Sequence, residues 1–131
     1  MNFKLAFVLF ALLLFSPCFG QNQQPEKPIH EIASEQADLI RRDLNLNDVQ
    51  VFYLDSILLS NFEGVTKEIE ELRAAGRQND KTYEEIRKKW QEKTLNAVER
   101  VFDKKQFEKY MKVTGVSSKE RKQRLKAWVD R

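Results

Sequence analysis

The chain has 131 residues, with 23 Lys and Arg set against 20 Asp and Glu, a single histidine and a formal charge of +3. Charges this dense and this balanced in sign argue against a dedicated nucleic-acid binder, which presents a one-signed patch. One cysteine excludes a disulfide framework within the chain, and the four glycines are too scattered for a phosphate-cradling loop.

Met1 to Gly20 reads as a secretory signal peptide. Lys4 supplies the charge, Leu5 to Phe15 is an unbroken apolar run too short to span a bilayer comfortably, and Ser16 and Pro17 break it. Gly20 is a small residue suited to the position before the cut, which places cleavage between Gly20 and Gln21 and makes the product an exported one. Cys18 follows Pro17, a poor fit to a lipobox, and leaves with the leader. Loss of Lys4 lowers the net charge by one unit. Residues 21–28 (QNQQPEKP) form a polar lead-in punctuated by Pro25 and Pro28, and residues 29–131 form a single helical domain.

A first helix is predicted from about Ile29 to Asp43, with Ile29, Ile32, Gln36, Leu39, Ile40 and Leu44 at three-and-four spacing and Ala33 and Ala37 filling in. Asn45 closes it. Next comes a helix start. Asn47 is an N-cap whose side-chain oxygen accepts from the backbone two or three residues on. Gln50 stands at N3, where it reaches back to the cap's own N–H, and Leu46 and Val51 close a hydrophobic staple. The second helix runs to about Ala75 on a seam of Val51, Leu54, Leu58, Phe62, Val65, Ile69 and Leu72. Gly64 lies inside it, a bend or a tolerated residue. Glu70 with Arg73 and Lys67 with Glu71 are candidate ion pairs.

Gly76 to Asn79 is the clearest turn, with Gly76 at C′. Asp80, or Thr82 with Glu85, caps a third helix running to about Val101, with Tyr83, Ile86, Trp90, Thr94, Ala97, Val98 and Val101 on its stripe. Glu84 with Lys88 and Glu85 with Lys89 are spaced as ion pairs. Phe102-Asp103-Lys104-Lys105-Gln106-Phe107 repeats the earlier start, with Asp103 the cap, Gln106 its partner and Phe102 and Phe107 the staple. A short helix, Lys104 to Val113, turns Phe107, Tyr110 and Met111 inward, and Gly115 ends it. Ser117 with Glu120 boxes a last helix carrying Leu125, Trp128 and Val129 on one side and Lys119, Arg121, Lys122, Arg124 and Lys126 on the other. No strand is predicted.

Leu46-Asn47-Asp48-Val49-Gln50 and Phe102-Asp103-Lys104-Lys105-Gln106 resemble the paired Leu-Thr-x-x-Gln runs of the LTxxQ-motif periplasmic family, the Spy- and CpxP-like envelope-stress chaperones. Asn47 and Asp103 stand where the family has threonine and Phe102 where it has leucine, substitutions that keep the capping role. The resemblance implies an all-α fold: a small antiparallel bundle of four main helices plus a short C-terminal one, cradle-like and dimeric. It further implies an exported, periplasmic, ATP-independent chaperone-like protein of the stress response. Such a protein binds unfolded or partly folded envelope proteins through an amphiphilic face, with no cofactor and no stable membrane insertion. The alternative is an accessory of a stress sensor that binds one signalling partner; a third reading is a plain structural module.

The residues themselves point away from catalysis. His30 is the only histidine, the mature chain has no cysteine, and the carboxylates fall on helix faces beside lysines, so neither an enzyme nor a metal centre is expected. The unabsorbed feature is the apolar excess on the second helix. Phe52, Tyr53, Leu59 and Phe62 spread beyond the Leu54–Leu58–Val65 seam, as expected of core, of a dimer seam or of a client-binding face.

Overall fold

The structure, a computed structural model, describes residues 26–128. The signal peptide, the lead-in as far as Pro25 and the Val129 position therefore lie outside the described residues. Those residues form five helices and no strand: α1 (Ile29–Leu44), α2 (Asp48–Ala74), α3 (Asp80–Val98), α4 (Lys104–Val113) and α5 (Ser118–Lys126). No helix among them is long and apolar enough to cross a membrane.

Helix α1 buries only part of its predicted face, and Ile40 packs against the core. Ala33 and Ala37 are fully covered together with Leu44, whereas Ile32 and Leu39 are exposed. The contact line against α2 runs through the small residues, which let two backbones approach closely, and Ser34 donates to Asp55 across it at 3.2 Å. Asn45, in the left-handed region at φ 53°, ends the helix as a short polar residue can. It turns the Leu46 N–H back to the Arg41 carbonyl at 3.1 Å and drops Leu46 into the core.

Helix α2, 27 residues against 16 for α1, runs about 40 Å at ~1.5 Å per residue. Its partners across the α2–α3 interface are antiparallel in register. Gln50 meets Val101, Asn61 donates to the Trp90 carbonyl and the Thr94 hydroxyl, and Trp90 donates to Glu68. Leu54 and Leu58 are the buried residues of α2, and the longer helix runs on past α1 to be covered by α3.

Three expectations at helix ends are corrected. Asn79, not Asp80 or Thr82, caps α3: its Oδ1 accepts from both the Thr82 N–H and the Thr82 hydroxyl at 2.8 Å. Helix α3 stops at Val98, because Glu99 to Phe102 tighten into turns with the Phe102 N–H on the Val98 carbonyl, which sets Phe102 in the core. Ser117 accepts from Glu120 N–H at 3.3 Å, but the Glu120 carboxylate turns to Arg124, so this box is only half made.

Arg124 also leaves the outward basic face. Its side chain is only 15% exposed, held by Glu92 and Glu120 and donating to Asn96, and so ties α5 to α3. Lys119, Lys122 and Lys126 remain in solvent. Of the helix-surface pairs, Glu84–Lys88 forms at 3.0 Å, while Lys89 crosses to Glu68 at 2.5 Å rather than pairing with Glu85. Neither Lys67–Glu71 nor Glu70–Arg73 is among the ion pairs of the described residues.

The core gathers where α1, the first half of α2, the end of α3 and α4 meet. Leu54, Leu95, Val98, Phe107 and Met111 are its most deeply buried side chains. Phe107, Tyr110 and Met111 turn inward from α4 as their spacing predicts. Leu95, 2% exposed, is the core residue of α3 that lies off the predicted stripe.

Candidate functional site

Both motif starts form complete capping boxes. Asn47 Oδ1 accepts from the Gln50 N–H at 2.8 Å and Gln50 Oε1 accepts from the Asn47 N–H at 3.1 Å. Asp103 and Gln106 repeat the pattern at 2.7 and 3.0 Å. Leu46, Phe102 and Phe107 of the staples are buried, and Val51 packs against the core.

The fold then sets the two boxes against each other. The Gln50 amide donates to Gln106 Oε1 at 2.8 Å, the Gln106 amide donates back to Gln50 Oε1 at 3.3 Å, and Gln50 also donates to the Val101 carbonyl at 3.1 Å. Each glutamine oxygen thus accepts twice, from its own cap and from the other glutamine. The sequence carried one signal for this pairing: both N3 positions are Gln, although Glu completes a capping box equally well and cannot donate an amide hydrogen.

The four residues of the apolar excess separate into two groups. Phe52 and Tyr53 are exposed, at 68% and 51%, with their rings edge to face at 5.7 Å. Leu59 and Phe62 are half-buried and pack against the core. Val49, 64% exposed, joins the outer group and was hidden as a spacer within the first motif. Val49, Phe52 and Tyr53 therefore make a cluster of large apolar side chains in solvent over the first turns of α2.

Farther along α2, Trp90 of α3 lies over Gly64. A Cβ built at Gly64 would stand 2.1 Å from two ring carbons, so glycine is required by close approach, and α2 continues unbroken through it. The indole N–H donates to Glu68 at 3.0 Å, and Lys93 Nζ sits 4.1 Å from the ring centroid, a cation–π contact. Bonding to Lys89 holds the Glu68 carboxyl below its usual range, against the opposing effect of burial. A carboxylate lowered in the fold contributes stability above its unfolded range and loses it as pH falls through the folded value. Glu68→Gln is therefore expected to lower the melting temperature at neutral pH, with the gap to the parent closing on acidification. A gap independent of pH would show that the charge on Glu68 contributes nothing.

His30 is exposed at the start of α1. No group of three or more His, Cys, Asp or Glu side chains is placed to hold a metal ion among the described residues. Comparisons with protein-family models, with curated proteins and with solved structures each return no match to the chain.

Proposed function

We propose that this chain is an exported, ATP-independent chaperone-like protein of the LTxxQ kind, which shields unfolded or partly folded envelope proteins. The observation that carries the reading is the Val49–Phe52–Tyr53 cluster, three large apolar side chains held in solvent by a helix whose opposite side is anchored in the core. Such a cluster on a densely charged surface grips apolar segments weakly, while the mixed charges speed encounter and release. The paired capping boxes and the all-helical fold support the family reading. In it the protein works as a dimer with a cradle-shaped concave face.

The test is aggregation of an unrelated unfolded client with and without the protein, compared with Phe52→Ser/Tyr53→Ser. Exposed side chains are expected to leave stability within about 0.5 kcal/mol of the parent, while suppression of aggregation falls. Loss of the dimer in analytical ultracentrifugation with helicity intact would assign the cluster to a subunit seam. A folded parent that suppresses nothing would overturn the chaperone reading and favour the stress-sensor accessory, which binds one partner.

A further inference from the structure

A second feature lies on the other side of α2, where α1, α2, α3 and α4 enclose a cleft of about 420 Å³, within the size range of small-ligand sites, roughly 300–1,000 Å³. Its apolar lining comes from Leu58, Phe62, Val65 and Leu95. In a chain with 20 Asp and Glu, no acidic residue lines it, and its one charged residue is Arg87. Arg87 is exposed and makes no ion pair among the described residues.

Tyr110 gives the cleft a second donor. The residue is 97% buried by its 3% exposure and lines the cleft, yet among the described residues no group hydrogen-bonds its hydroxyl; the one contact at Tyr110, from Thr114, goes to its backbone carbonyl. No fully covered side-chain oxygen in the described structure lacks a partner, so this hydroxyl keeps contact with solvent and is free to donate. Burial alone pushes the phenol up to about 12, so it stays a neutral donor at physiological pH.

We propose that this cleft binds a small amphipathic carboxylate, its apolar body on Leu58, Phe62, Val65 and Leu95 and its oxygens on the donors of Arg87 and Tyr110. The guanidinium is the cleft's one charge and it is positive, with no carboxylate beside it, which favours an anionic oxygen head over an ammonium. The site is separate from the Val49–Phe52–Tyr53 cluster and stands whether or not the chain is a chaperone.

Isothermal titration with sodium decanoate tests it. One-to-one binding is expected, weakened roughly tenfold by Arg87→Gln and several-fold by Tyr110→Phe, which removes one oxygen and leaves the ring packing. Decyltrimethylammonium, with the same tail and the opposite charge, should not bind there, and Phe52→Ser/Tyr53→Ser should bind decanoate as the parent does. Absence of binding to the parent, binding unchanged by both cleft substitutions, or binding lost with the Phe52 and Tyr53 substitutions would each overturn the assignment.

Discussion

Gly64→Ala is expected to destabilise the protein by up to about 2 kcal/mol, although alanine is worth ~1 kcal/mol more than glycine inside a helix. The new methyl would stand 2.1 Å from Cζ2 and Cη2 of Trp90. The ring is not free to swing away without loss, since its N–H is bonded to Glu68 and its face lies under Lys93. Overpacking of this kind costs about 1–3 kcal/mol and outweighs the helix gain. The sign should reverse once the ring is gone. In a Trp90→Ala background, Gly64→Ala has only its helix propensity to express and should stabilise by up to about 1 kcal/mol. Urea unfolding of the four variants measures both legs, and a Gly64→Ala that stabilises the parent would show that Trp90 does not rest on Gly64.

What the sequence showed of this fold is what short-range chemistry determines. Asn47 and Asp103 read as caps because capping joins residues three apart, and both boxes form with the expected partners. Lys104–Val113 is bounded as predicted because a cap opens it and Gly115, at φ 80°, closes it by bringing the Val116 N–H to the Met111 carbonyl. The start of α3 was ambiguous because Asn79, Asp80 and Thr82 all cap well and stand within four residues; local chemistry alone does not rank them.

The misread faces depended on partners distant in sequence. Periodicity weighted toward large side chains favoured Ile32 and Leu39 on α1, whereas contact with α2 selected Ala33 and Ala37 for their small size. Arg124 sits in a basic run, and Glu92 and Asn96, 32 and 28 residues earlier, draw it inward together with Glu120 of its own helix. Glycine at position 64 becomes explicable only beside Trp90. The candidate site was legible in part. Phe52 and Tyr53 were visible as apolar residues off the seam, while Leu59 and Phe62 carried the same signal and pack against the core. Nothing in the sequence placed Tyr110 and Arg87 on one cleft.

The glutamine pair offers the sharper test of the repeated motif, because capping alone and capping with pairing predict opposite signs. If Gln106 only caps α4, Gln106→Glu should be neutral or stabilising. The carboxylate still accepts from the Asp103 N–H, and a negative charge in the first helical turn is favoured by about 0.3–1 kcal/mol. In the structure, however, Gln106 also donates to Gln50, 56 residues away. A carboxylate has no hydrogen to give and would set its oxygen against Gln50 Oε1. Gln106→Glu is therefore expected to destabilise by about 1 kcal/mol, since Gln50 Oε1 loses one of its two donors and faces a carboxylate oxygen in its place. Asn47→Ala, which touches one cap alone, should cost about 1 kcal/mol. The double cycle of Gln50→Ala and Gln106→Ala should show a coupling of at least ~0.5 kcal/mol, beyond the scatter of independent sites. A stabilising Gln106→Glu with additive alanine variants would reduce the motif to two separate helix starts. The expected result makes each glutamine a joint between the two halves of the chain, fixing the start of α2 against the start of α4.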